Sequence, residues 1–237
     1  MKAIRFEGYM ETAQFRVPQW SGGLELTYPL PPFSTVIGMI HSLCGWKKYH
    51  AMNVSISGKS NLCSSLEHRW KGGAFSTKES EEFCKRFPVR AECQGGYVGW
   101  VSSITECNFL VDLKLRIHVL LKNEAELTDI HNALCYPPVF PSLGRHSDLL
   151  RLDSVRIVEI SDCKCMLQEL KGDMPIFVPQ QENISGTLYS LHKDYHIENG
   201  RRIFNDKKVF LLDPSFLDSD SCILAKSDED GYPVFFL

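Results

Sequence analysis

The longest strand-like run in the chain, Cys107 to Leu121 (CNFLVDLKLRIHVLL), sets the terms for the fold. Successive side chains of an extended strand point to opposite faces, so Val111, Leu113, Leu115, Ile117 and Val119 share one side. Arg116 and His118 fall on the other. Such a strand belongs in a sheet whose apolar face is covered. Helical periodicity offers two covers. Pro31 and Pro32 hold the backbone extended ahead of the first. Ser34 stands where an N-cap would stand, and Val36, Ile37, Met39, Ile40, Leu43 and Cys44 share one arc of the helix. Leu127, Ile130 and Leu134 form the second stripe, behind Asn123 and its capping-box partner Glu126.

Three further strands complete the set. Lys2 to Gly8 alternates Ile4 and Phe6 with Arg5 and Glu7; Asn53 to Ser57 alternates Val54 and Ile56; Leu150 to Ile160 closes the series. The order predicts an α+β fold, with a ferredoxin-like (RRM-like) βαββαβ core over residues 1–160 and an open antiparallel sheet. An insertion at about 70–100 is bounded by Gly72-Gly73 and Gly95-Gly96. Those glycine pairs suit an inserted β-hairpin arm as well as an ordinary surface loop. From Arg69 to Arg90 it carries the bases Arg69, Lys71, Lys78, Lys85, Arg86 and Arg90 against Glu79, Glu81 and Glu82. Residues 161–237 hold three short strand patterns, Met174 to Val178, Gly186 to Leu191 and Lys207 to Leu212, and predict a small β-rich C-terminal subdomain.

The outward arc of the first helix is unusual. It holds Ser34, Thr35, Gly38, His41, Ser42 and Gly45, where a solvated face would hold Lys and Glu. Each glycine costs about 1 kcal/mol against alanine in a helix. The pattern therefore asks for a close partner, either another protein element or a phosphodiester chain drawn to the positive helix end. A second loop, Leu143-Gly144-Arg145, offers backbone amides and a guanidinium suited to bidentate phosphate contact.

Several function classes lack their signatures. The chain has no P-loop, GxGxxG, GxSxG or HExxH pattern, so no cofactor and no metal are expected. Its nine cysteines are scattered, and Cys163 and Cys165 stand too close together to nominate a zinc site, which fits reduced thiols in a cytoplasmic protein. There is no signal-peptide core at the N-terminus and no apolar run near the roughly 20 residues of a membrane span. Net charge is −3, mildly adverse for a nucleic-acid binder. Six of the 29 acids but one of the 26 bases lie from Asp213 onward, leaving 25 bases and 23 acids before that point.

Three motifs carry a resemblance. The stretch Tyr28 to Gly45 (YPLPPFSTVIGMIHSLCG), the Pro141-Ser-Leu-Gly-Arg145 run followed by Ser147-Asp148-Leu149, and Gly186-Thr187-Leu188-Tyr189 with Tyr195 and Arg201-Arg202-Ile203-Phe204 resemble the CRISPR-associated "Cas five" proteins. The likeness is to the type I-B members, subunits of the Cascade surveillance complex. It implies a non-catalytic RNA-binding subunit with an RNA-recognition-motif-like core, capping the complex and holding the 5′ handle of the guide RNA. On that reading Ser34, Thr35, Gly38, His41, Gly144 and Arg145 grip the handle. Arg69, Lys71, Lys85, Arg86 and Arg90 lie on a thumb-like arm that meets RNA or the adjacent backbone subunit. The Cascade large subunit is a further neighbour, target DNA is engaged indirectly through base pairing, and no membrane is involved. The alternative is a metal-independent endoribonuclease that matures repeat RNA. Its available parts are Tyr28, His41, Lys47, Lys48 and His118. Phe6, Phe15, Trp20 and Tyr28 are candidates for base stacking, with core packing the ordinary role for Phe6.

Overall fold

The computed structural model describes residues 1–18, 24–121, 123–162, 164–166, 169, 171–181, 186–214 and 223–237. Trp20 and Cys163 lie outside these residues, as do the side chains of residues 71, 72, 124 and 165. Two compact units emerge. One comprises Met1–Arg16, Thr27–Leu62 and Leu110–Leu237, the other Val17–Leu26 and Cys63–Phe109.

The first unit is built on strand β1 (Lys2–Ala13), which pairs antiparallel on one side with β5 (Gly96–Leu121) and on the other with β6 (Arg151–Glu159). Beyond β5 the sheet continues through β3 (Met52–Ser76), β8 (Ile176–Pro179), β10 (Arg201–Leu212) and β9 (Thr187–Glu198). This overturns the expected fold class. The chain is mostly β, organised around a large antiparallel sheet, and is not a small α+β ferredoxin-like core. The reason is physical. β8 is a short run of buried Ile176, Phe177 and Val178, and such a strand is covered on both faces wherever it lies. Its partners β3 and β10 are far apart in sequence, so no local pattern announces the extension.

Helices α1 (Phe33–Leu43) and α3 (Leu127–Cys135) supply the apolar cover. Phe33, Val36, Ile37, Met39, Ile40 and Leu43 of α1 and Leu127, Ile130 and Leu134 of α3 are buried with Ile4, Phe6, Met10, Leu113, Leu115, Ile117 and Val119. Full burial of one such side chain stabilises by roughly 1.5–3 kcal/mol, which dwarfs the helix propensities involved. Ser34 is not the cap. Pro32 holds that position, and no side chain caps the helix. The helix stops at Gly45, whose φ of +65° lets its N–H reach Ser42 O while Trp46 N–H reaches His41 O at 3.0 Å.

The opposite face of the β1–β5 pair is not an open platform. Arg5 lies across from His118 and Glu7 across from Arg116, and both arginines and the histidine are buried. Asp228, from the turn between β11 (Leu224–Ser227) and β12 (Pro233–Val234), accepts from Arg5 at 2.6 Å, His118 at 3.0 Å and the Tyr232 N–H at 2.9 Å. Arg116 lies 3.5 Å from the Tyr232 ring centroid and pairs with Glu7 and Asp173. Burial pushes Asp228 up, but the hydrogen bonds from His118, the Tyr232 amide and Arg5 outweigh it and hold the carboxyl well below its ordinary range. Burial also lowers His118, against its hydrogen bond to Asp228.

The second unit contains the outer parts of β3 and β5, helix α2 (Glu81–Arg86) and strand β4 (Val89–Cys93). Ser80 caps α2 through Phe83 N–H at 3.2 Å, and Gly95, at φ +85°, turns β4 into β5. Phe87 is the buried centre of the unit. Gly73 and Gly99 lie against its ring, where an added Cβ would come within 2.5 and 2.3 Å respectively. Gly73 thus makes room for an aromatic side chain, beyond any relief of strain at a hairpin base. Among the described residues no helix is long and apolar enough to cross a membrane.

Two predictions follow from this packing. Burial holds His118 below its ordinary range in the fold, while the unfolded chain's histidine titrates at about 6.5. Its contribution is therefore complete above that pH and declines as pH falls through it, because the unfolded chain takes up the proton first. Urea midpoints should decline from pH 7.5 to 5, and His118→Gln should flatten that decline; an unchanged slope would refute the assignment. Gly99→Ala should destabilise by about 1–3 kcal/mol through overpacking against Phe87, read as a drop in Tm.

Candidate nucleic-acid interface

The outward side of α1 borders two cavities of the first unit. The larger, about 410 Å³, lies between α1, the turn Trp46–His50 that follows it, and the β9–β10 hairpin. The smaller, about 380 Å³, lies on the side of the Phe140–Gly144 loop. Ser34, Thr35 and Gly38 line both. Gly38 is exposed, and a Cβ built on it would meet nothing within 4 Å. Unlike Gly45 and Gly144, with φ of +65° and +100°, Gly38 has no backbone reason to be glycine. It is the one position on this helix where the missing side chain simply bares the backbone.

Aromatic rings shape the larger cavity from two sides. Trp46 stacks on His50 at 4.0 Å, and Tyr49 stacks on His41 at 5.6 Å. His41 pins this turn from within. Its Nε2 accepts the His50 N–H at 2.9 Å, so its Nδ1 carries the proton and donates to Ile37 O at 2.8 Å. Burial lowers its pKa, which agrees with the neutral ring. Both nitrogens are occupied, leaving His41 no lone pair for a substrate. His118 is likewise buried against Asp228.

The other wall is the hairpin. Asn199 and Gly200, at φ of +49° and +74°, make the tight two-residue turn that joins β9 to β10. That register sets Phe204 across from Tyr195, with ring centroids 5.8 Å apart, and lays the Arg202 guanidinium 4.7 Å from the Tyr195 centroid. Lys47, Lys48 and Arg202 add positive charge to the lining. Among the described residues that line it Asp194 is the one acid, and its carboxylate accepts from Asn205 Nδ2 at 2.6 Å. In the smaller cavity Phe140 is 86% exposed, beside Ser42 and Gly144.

The sequence candidates are therefore divided. Ser34, Thr35, Gly38 and His41 come together at the larger cavity, and Gly144 joins the first three at the smaller. Arg145 points its guanidinium at Asp148, with Nη2 at 2.7 Å and Nε at 3.0 Å. Asp148 is buried and also accepts from the Gln14 N–H at 3.0 Å, so this pair closes the loop. In the second unit Arg69 pairs with Glu67 at 2.7 Å, Arg90 with Glu79, and Lys85 with Glu81, while Arg86 lies over the Phe87 ring. The Lys71 side chain is outside the described structure. Phe6 and Phe15 are core, and Tyr28 is half-buried beside Tyr189. No role had been expected for Trp46, Tyr49, Phe140 or Arg202. The available signal was the two-residue spacing of Arg202 and Phe204, which places both on one face of a strand.

Comparison with known proteins bears on the fold. No family profile matches the chain, and no curated protein does. A chain of a structure described as "CRISPR RNA-guided surveillance complex" superposes with a TM-score of 0.52 at 16% identity, covering 88% of this chain and 89% of that one. The likeness is one of fold. "Crystal structure of Cas protein" and "Crystal structure of a CRISPR protein from Archaeoglobus fulgidus" align over 98% and 100% of this chain, each at TM-score 0.43 and 12% identity, too distant to carry an argument.

The bare helix position gives a direct test. Gly38→Ala should raise stability by about 0.5–1 kcal/mol, since alanine is the better helix former and its methyl meets open space. A lower Tm for this variant would show that the helix is held by something other than the packing described.

Proposed function

We propose that this chain is a non-catalytic RNA-binding subunit of a type I-B CRISPR Cascade complex, holding the 5′ handle of the guide RNA and capping the backbone filament. The observation that carries this reading is the pair of cavities meeting at Gly38, with aromatic rings and cations lining the larger. Single-stranded RNA is held by such surfaces, because every base has a π-face to stack and every phosphate a charge to neutralise. The motifs that resemble the "Cas five" proteins, and the fold likeness to a chain of a CRISPR RNA-guided surveillance complex, support the same assignment. Net charge of −3 does not oppose it: the bases that matter are Lys47, Lys48 and Arg202, gathered at one site.

Within the complex, the second unit, with Arg69, Lys71, Lys85, Arg86 and Arg90, is the segment that meets the backbone subunit or the guide. The large subunit is a neighbour, and target DNA is read by base pairing. The His41 and His118 environments support a holding role over cleavage. Neither ring offers an accessible nitrogen to a 2′-hydroxyl.

The test combines Lys47→Glu, Lys48→Glu and Arg202→Glu in one chain. Retention of a labelled repeat RNA bearing the handle should fall at least about tenfold, with circular dichroism and Tm preserved. Labelled repeat incubated in EDTA with the unaltered protein should stay intact. Undiminished retention by the variant, or specific cleavage by the native chain, defeats the proposal.

A further inference from the structure

Resting on the RNA-binding reading, we infer that the strand crosses α1 at Gly38 with two adjacent nucleotides splayed to opposite sides. One base enters the aromatic cavity between the Trp46 turn and Phe204, and its neighbour stacks on Phe140. The geometry of the helix points to this arrangement. Ser34, Thr35 and Gly38 belong to the walls of both cavities, so the helix is a low saddle between them. A saddle made of small side chains, with bare backbone and open space at Gly38, admits a sugar-phosphate chain at its crest. The half-buried hydroxyl-bearing Ser34 and Thr35 beside it suit phosphate oxygens.

The two sides differ in the chemistry they offer. The larger cavity has volume for a base and part of its ribose, with rings of Trp46, Tyr49, Tyr195 and Phe204 around it. Asp194 in the lining disfavours a phosphate beside it, while Lys47, Lys48 and Arg202 of the same lining attract the backbone. The base faces inward. On the other side Phe140 is 86% exposed, beside a loop that Asp148 closes. A single exposed ring beside a groove is a stacking platform for one base. A continuous base stack cannot occupy both cavities at once, because α1 stands between them.

Abasic scanning tests the splayed pair. Handle RNAs with one abasic nucleotide at each position in turn are titrated against the native chain, Phe204→Ala and Phe140→Ala. Removing the base at one position should weaken native binding about tenfold, and that loss should vanish in Phe204→Ala. A second position should behave likewise with Phe140→Ala, and the two positions should be neighbours in the RNA. Phe140 is exposed, so its replacement leaves the fold intact, and an unchanged Tm checks this for Phe204→Ala. If the intact RNA binds but neither variant couples to any position, or the coupled positions are not adjacent, the splayed pair is wrong and RNA binding stands. If the native chain binds no handle RNA, both the pair and the reading beneath it fall.

Discussion

Antiparallel pairing of β1 with β5 organises everything else in the first unit. It sets Phe6 across from Ile117 and Arg5 across from His118, so one face of the pair is hydrocarbon and the other is charge. The hydrocarbon face can be buried only beneath α1 and α3. The charged face can be buried only beneath a partner that neutralises it, and Asp228 does so with hydrogen bonds to Arg5 and His118. A slip of one residue in this register would send Phe6 into the ionic cluster and Arg5 into the core. Both faces therefore enforce the same alignment.

That arrangement also decides where a ligand can go. In a sheet with an open face, aromatic residues on the strands would be the natural stacking sites. Here the tail turn around Tyr232 closes the charged face of β1 and β5, and Phe6 lies in the core. On the proposed reading RNA is held instead on the outer side of α1, where helix, turn and hairpin leave cavities. The helix does two jobs with its two arcs: the inner holds the sheet, and the outer stays small enough to be approached.

The ionic economy follows the same logic. Most arginines of the chain are committed to carboxylates. Arg5, Arg69, Arg90, Arg116, Arg145 and Arg151 each have an acidic partner within the fold. Pairing of this kind fixes loops and registers but contributes little attraction for a polyanion. On the proposed reading a near-neutral chain relies on Lys47, Lys48 and Arg202 gathered at one cavity, which total charge cannot express.

Much of this was legible in the residues themselves. The alternation of Leu113 to Val119, the apolar arc from Val36 to Leu43 and the stripe of Leu127, Ile130 and Leu134 determined strands and helices, because periodicity is a local property that burial must respect. The small outer arc of α1 was visible too. Three glycines looked alike, however, and only backbone dihedrals separate Gly45 and Gly144, which serve turns, from Gly38, which serves no turn. The fold class was not legible, since the joining of β8, β10 and β9 to β3 is a choice among distant partners with similar patterns. Nor was the commitment of Arg145 to Asp148, or the meeting of Trp46 with Phe204 around one cavity. Local sequence determines which side chains share a face; only the closed tertiary structure decides which faces meet, because that depends on the sum of all burial and pairing at once.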